Sequence, residues 1–247
     1  MQQTRPHPVA AEIQWPCPLA EATRQRLLSI AQPYDLNRLT GVVPGVIYVV
    51  TGCLVGYATN ETMDNSLGLI HGHGRWFGIQ SIDNPTYAPT DFYEALLPTE
   101  LLLFPARELE RLAEQDPAIY KFLFFIAQYI GRLTLQLGSN TLFSLTTRIT
   151  YALLELASKH APVHEIRPLL HITQQELSQI VGISRPRVNE VLKALDNSGE
   201  VKLGRGEIQL LDLAALQARL PSMSYMYHDP IAEAYPDAPE PEPQSRS

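Results

Sequence analysis

Residues 172–206 read ITQQELSQIVGISRPRVNEVLKALDNSGEVKLGRG, and within them Arg185, Arg187, Asn189, Glu190 and Lys193 fall on the arc of a short helix opposite Val188, Val191, Leu192 and Leu195. The chemistry open to such a face is recognition by hydrogen bonds. An arginine can donate two bonds to a guanine edge, and an asparagine can make a matching pair with adenine. The major groove of B-DNA admits one α-helix, whose first residues meet the base edges. The same periodicity also suits a surface helical pair that contacts nothing. Covalent chemistry finds less support. No P-loop, HExxH or GxSxG pattern occurs, and GHGRWFG at 72–78 misses the dinucleotide fingerprint by one residue. His71 and His73 offer two donors where a metal usually takes three or four. The expectation is therefore no enzyme, no metal and no cofactor.

The elements that must hold that face are legible nearby. Thr173 followed by Glu176 makes a capping box, and Leu177, Ile180 and Val181 give the helix after it an apolar side. Gly182 can turn the chain at positive φ. Ser184 is the expected cap of the second helix, and Pro186 falls in its first turn, where a missing N–H costs little. A β-hairpin follows.

In these motifs the sequence resembles the winged helix-turn-helix of the CRP/FNR transcription regulators. The resemblance rests on T-x-x-E-L at 173–177, VGISR at 181–185, VN-x-x-L at 188–192 and LGRGEIQLLDLAAL at 203–216. It implies phosphate contacts from Thr173, Gln175, Ser184, Gly204 and Arg205, and base contacts from Arg185, Arg187, Asn189 and Glu190. It also implies double-stranded DNA and RNA polymerase as partners, a homodimer and an inverted-repeat operator. The cyclic-AMP receptor protein itself has a base-reading Glu where this chain has Pro186, and a second base-reading Arg where it has Glu190, so a different operator is expected. A sensor or structural dimer that has lost DNA binding is the alternative.

The order of the remaining elements agrees with that family, giving an α+β chain: a β jelly-roll domain like those that bind cyclic nucleotides, a long dimerisation helix, then the winged domain. The expected divisions are a flexible start at 1–17, a β-roll domain at 18–115, the long helix at 116–140, the winged domain at 141–220 and a tail at 221–247. Residues 18–31 form an amphipathic helix. Short apolar runs at 46–59, 66–82 and 91–105, separated by Gly or Pro, suit strands of an all-β unit. Gly74, Gly78, Ile79 and Thr90 mark where the resemblance puts an effector pocket. Ile79 stands in place of the family's Glu, and Pro89-Thr90 in place of its Arg-Ser, so the pocket lacks the groups a cyclic phosphate needs. Cyclic AMP is not expected to bind.

PAIYKFLFFIAQYIGRLTLQL at 117–137 starts with Pro117 behind a capping Asp116. Ile119, Phe122, Ile126, Tyr129, Ile130, Leu133 and Leu137 recur at three and four, a seam that fits a dimer helix or a core helix. SLTTRITYALLELASKH at 144–160 is a second amphipathic helix with Ser144 as cap. The net charge of −7 runs against nucleic-acid binding, but its distribution is uneven. The tail carries Asp229, Glu233, Asp237, Glu240 and Glu242 against Arg246 alone, and disorder is expected there. Residues 166–220 hold seven Lys/Arg against six Asp/Glu. Two cysteines are too few for the four-thiolate cluster of the FNR branch. With no long apolar run and no signal-like start, a cytoplasmic protein free of the membrane is expected.

Overall fold

A computed structural model describes residues 13–39, 42–61, 66–79, 92–160, 166–221 and 228–230. The chain folds as two compact units: Met1–Leu54 with His71–Ile130, and Val55–Ile70 with Gly131–Ser247.

The first unit is built on a sheet with strand order β1-β7-β2-β5, from β1 (Gln32–Tyr34), β2 (Gly45–Thr51), β5 (Trp76–Phe77) and β7 (Glu100–Pro105). Every pairing in it is antiparallel, and β2 runs beside β7 from Gly45↔Pro105 to Thr51↔Glu100. Val46, Ile47, Tyr48 and Val49 are all buried, so both faces of β2 are covered. That explains a continuous apolar run where a half-exposed strand would alternate. Helix α1 (Glu21–Ile30) precedes β1, and α2 (Ala106–Gln115) follows β7 directly.

Asp116 ties α1 to the long helix α3 (Ala118–Asn140). One carboxylate oxygen accepts from the Ala118 N–H at 3.1 Å, the capping role expected of it. The other accepts from the Thr23 hydroxyl at 2.8 Å and from Arg26 at 2.9 Å. These bonds, that from Thr23 above all, hold the Asp116 carboxyl below its ordinary range.

At Thr51-Gly52, a pair whose residue types suit a turn, the chain changes sheets. β3 (Cys53–Thr59) leaves β2 and enters a three-stranded sheet of order β4-β3-β6, with β4 (Ser66–Gly72) and β6 (Phe92–Ala95). The start of the chain also departs from expectation. Within 1–17, residues 13–17 are packed: Ile13 and Cys17 are buried in the core of the first unit. Residues 1–12 lie outside the described residues, as does most of the tail. Where the tail is described it is docked, the His228 N–H donating to the buried Gln136 side chain on α3 at 3.1 Å.

The second unit carries α4 (Leu145–His160), β8 (Leu169–Leu170), α5 (Gln174–Val181), α6 (Arg185–Asn197), β9 (Val201–Leu203), β10 (Ile208–Leu210) and α7 (Leu213–Ala218). Ser144 caps α4, accepting from the Thr147 N–H at 3.1 Å. Ile149, Leu153, Leu154 and Leu156 of α4 are buried, as their spacing requires.

Candidate nucleic-acid interface

Helices α5 and α6 meet at a tight turn whose geometry follows from local sequence. Thr173 accepts from the Glu176 N–H at 3.1 Å, and the Glu176 carboxylate accepts from the Thr173 N–H at 2.7 Å, completing the capping box. Gly182 ends α5 in the left-handed conformation, φ 63° and ψ 41°. A side chain there would be strained, and its Cβ would lie 2.7 Å from the Ser66 carbonyl oxygen. Arg148 donates to the Val181 carbonyl at 2.6 Å, satisfying one of the acceptors left open at the end of α5.

Helix α6 begins at Arg185 with Pro186 in its first turn. Val188, Val191, Leu192 and Leu195 are buried, and Arg185, Arg187, Glu190 and Lys193 are exposed. Ser184 occupies the N-cap position, but its hydroxyl makes no cap bond. Its carbonyl instead accepts from the Arg187 and Val188 N–H groups at 3.0 and 3.1 Å. Pro186 has no N–H and that of Arg187 is taken, so at this helix start the Ser184 hydroxyl and the Arg185 N–H are the donors left without a partner among the described residues.

Asn189 is half-buried, and its side-chain oxygen accepts from Gln174 of α5 at 3.2 Å. That bond engages the amide oxygen and leaves the NH₂ group as a donor for other partners. Gln174 is a supporting residue that the motif pattern did not single out; its only signal in the sequence is its place in the first turn after a capping threonine.

Behind α6, β9 and β10 pair from Val201↔Leu210 to Leu203↔Ile208, and β8 completes a sheet of order β8-β10-β9. Gly204, Arg205 and Gly206 form the exposed tip of the hairpin, closed by the Gly204 N–H donating to Glu207 at 2.9 Å. Thr173 and Gln175 are exposed at the start of α5. An ion pair secures the base of this module. Two of the Arg219 nitrogens, Nε and Nη2, donate to the buried Glu200 carboxylate, Nε at 2.6 Å, and the Ser198 hydroxyl adds a bond at 2.7 Å. The Arg219 bonds hold the Glu200 carboxyl below its usual range and raise that of Arg219.

The remaining sequence-derived residues fall differently. In α3, Ile119, Phe122, Ile126, Ile130 and Leu133 are buried against their own chain, and Tyr129 and Leu137 are half-buried. That seam is thus an internal one. The opposite face is open: Tyr120 is 60% exposed, Phe124 56% and Leu135 56%, with Ala127, Gly131, Thr134 and Gly138 exposed between them. At 100° per residue these seven lie within about 100° of one another around the helix.

Of the expected effector residues, Gly74 lies against Gln14 and Gly78 against Val43 and Gly45, while Ile79 packs partly buried on the core. Thr90 lies outside the described residues. His71 stacks on Phe77 at 4.3 Å, and His73 sits in the turn after β4 with Nδ1 2.6 Å from the Val50 oxygen. Among the described residues no three His, Cys, Asp or Glu come together as a metal site, and no helix is long and apolar enough to cross a membrane.

An exposed basic helix start, a supporting helix that orients its amide and a β-wing define a winged helix-turn-helix. Residues 147–219 match the model of the Crp-like helix-turn-helix domain. The cyclic AMP receptor protein of Thermus thermophilus is 29% identical over 120 residues, 48% of this chain and 53% of that protein. The match thus spans about half the length of that relative. A transcriptional regulator of the crp/fnr family from Eubacterium rectale superposes with a TM-score of 0.62 at 18% identity, over 81% of this chain and 94% of the other. TTHA1359, a CRP/FNR-family transcriptional regulator also from T. thermophilus, gives 0.57 at 25% identity, over 76% and 97%. Together these likenesses show a Crp-like helix-turn-helix in the C-terminal part of the chain and an N-terminal β-rich part, in an α+β architecture shared with CRP/FNR-family structures.

Proposed function

We propose that the protein is a homodimeric transcriptional regulator that reads an inverted-repeat operator through α6. The carrying observation is the exposed α6 start, where Arg185 and Arg187 stand beside an Asn189 amide held in place by Gln174. Arg185, Arg187, Asn189 and Glu190 face base edges; Thr173, Gln175, Ser184, Gly204 and Arg205 take phosphates and fix the register. The second copy pairs through the open stripe of α3, Tyr120, Phe124, Ala127, Gly131, Leu135 and Gly138, because the apolar seam read from the sequence is already covered. Gly131 and Gly138 let two such helices approach closely, since among the described residues no atom of a neighbouring element lies within 4 Å of a Cβ built at either.

Two-fold symmetry then sets the two recognition helices one helical turn of DNA apart, about 10–10.5 bp between half-site centres. The β-rich part is a sensor whose effector is not cyclic AMP: Ile79 replaces the carboxylate, and Gly74 and Gly78 are packed by the protein's own residues. RNA polymerase is the partner through which binding alters transcription. Selection from a random duplex pool at about 100 mM salt, followed by footprinting, tests the reading. An inverted repeat with half-sites one turn apart is the expected product. Recovery of no common sequence, with all binding lost alike at higher salt, would refute it.

A further inference from the structure

The first unit contains an aromatic recess that a segment of its own chain fills. Trp76 of β5 and Phe122 of α3 meet edge to face, with centroids 5.0 Å apart and planes at 87°, so that they form two walls of a corner. Tyr48 and Phe104 back it, at 4.6 and 5.1 Å from Trp76. Trp15 lies in this corner, 5.7 Å from Trp76 and 6.0 Å from Phe122.

The residue before it is held as a bound peptide is held, through its backbone. The Gln14 N–H donates to the Tyr48 hydroxyl at 3.0 Å, and the Trp76 indole N–H donates to the Gln14 carbonyl at 2.8 Å. Both partners are side chains, so the segment is not a strand of the sheet. Trp15 itself is only half-buried, and its indole N–H has no partner among the described residues. Its hold is therefore stacking and shape, which any flat aromatic ring of that size can reproduce.

We propose that this recess is a binding site for a flat aromatic group, filled in cis by Trp15, and that Trp15 serves the sensor as a tethered effector. The second half rests on the regulator reading given above. The mechanical reason is that Trp15 touches Phe122 on the inner face of α3, the helix whose outer face we assign to the second subunit. A filled recess favours one placement of that helix. Emptying it spreads the population over others, and apparent DNA affinity falls by the fraction lost.

The experiment uses the full chain with Trp15→Ala, and indole, the ring removed, as the probe. Calorimetry and saturation-transfer NMR should show indole binding to Trp15→Ala with a Kd of roughly 0.1–5 mM, the range open to nine heavy atoms, and at least tenfold weaker binding to the wild type. The DNA affinity of Trp15→Ala should be at least fivefold below wild type and recover as indole is titrated. A folded variant that does not bind indole, or equal binding by both proteins, overturns the site. Indole binding with DNA affinity unchanged or raised overturns the effector role. If Trp15→Ala does not fold, Trp15→Leu keeps apolar bulk without the ring, and the same outcomes decide. A wild type without sequence-specific DNA binding would sink the regulator reading alone, because the indole titration does not depend on it.

Discussion

Replacing Phe124 by glutamate should separate the proposed dimer without unfolding its subunits. Phe124 is 56% exposed in the single chain. A phenylalanine offers on the order of 200 Å², so pairing through this stripe would cover up to about 110 Å² of it. At about 25 cal/mol per Å², that is ~2–3 kcal/mol per copy, and two-fold symmetry counts each contact twice, giving ~4–6 kcal/mol as a ceiling. Since about 1.4 kcal/mol is tenfold in an equilibrium constant, the dimer Kd should rise by up to roughly a thousandfold to ten-thousandfold. Sedimentation velocity over a dilution series reads this directly. Thermal melting of the same variant should stay near wild type, because the side chain removed is not part of the core. Leu133→Ala supplies the contrast: Leu133 is 2% exposed, so its truncation should cost roughly 2–5 kcal/mol of folding stability. A Phe124→Glu protein that stays dimeric at wild-type concentrations would show that α3 does not pair through this face.

Three further outcomes follow from the second unit. Arg185→Ala should cost roughly 1–3 kcal/mol of operator affinity and relax choice at one base pair, whereas Arg205→Ala should weaken all sequences alike and lower the salt slope by about one; competition binding at two salt concentrations separates them. Gln174→Ala removes the bond that orients Asn189, at a cost of about 0.5–1.5 kcal/mol, and should show as lost discrimination at the Asn189 position with melting temperature little changed. Glu200, whose carboxyl is held below its ordinary range by Arg219, stabilises the fold fully above the unfolded-state carboxyl pKa, and that stability disappears as pH falls through the lower folded value. Glu200→Gln should therefore lower stability at neutral pH by roughly 1–3 kcal/mol and flatten the acid limb of a denaturant-midpoint profile; an unchanged limb would show that the pair contributes nothing.

What could be read from the sequence was local. The Thr173–Glu176 box, the Gly182 turn, the Ser144 and Asp116 caps and the inward face of α6 each depend on residues a few positions apart, and each is where its spacing puts it. What could not be read depends on partners far along the chain. The periodicity of α3 marks an apolar seam but not what covers it, and the helix carries a second apolar stripe on its other side. The Thr51-Gly52 pair reads as a turn whether the next strand returns beside the first or enters another sheet. Nothing near Gln14 or Trp15 announces Tyr48 and Trp76 as their partners. Ser184 has the right residue type for a cap, yet its hydroxyl is left unused in that role.

The charge of the molecule bears on how this helix can bind. The whole chain carries −7, while α6 and the hairpin present Arg185, Arg187, Lys193, Lys202 and Arg205 with Glu190, Asp196 and Glu207 among them. Phosphate neutralisation alone would need a denser patch than that, because nonspecific affinity scales with the number of counterions released. The surface is better suited to a protein whose attraction to arbitrary DNA is modest and whose hold on its operator depends on base contacts. Those contacts need side chains placed to within fractions of an ångström. The turn at Gly182, the Gln174–Asn189 bond and the Glu200–Arg219 pair behind the wing supply that rigidity. Loosening any of them should reduce the ratio of operator to random-sequence affinity more than it reduces binding to random sequence, and a mutation at Gly182 that lowered both equally would refute this division of labour.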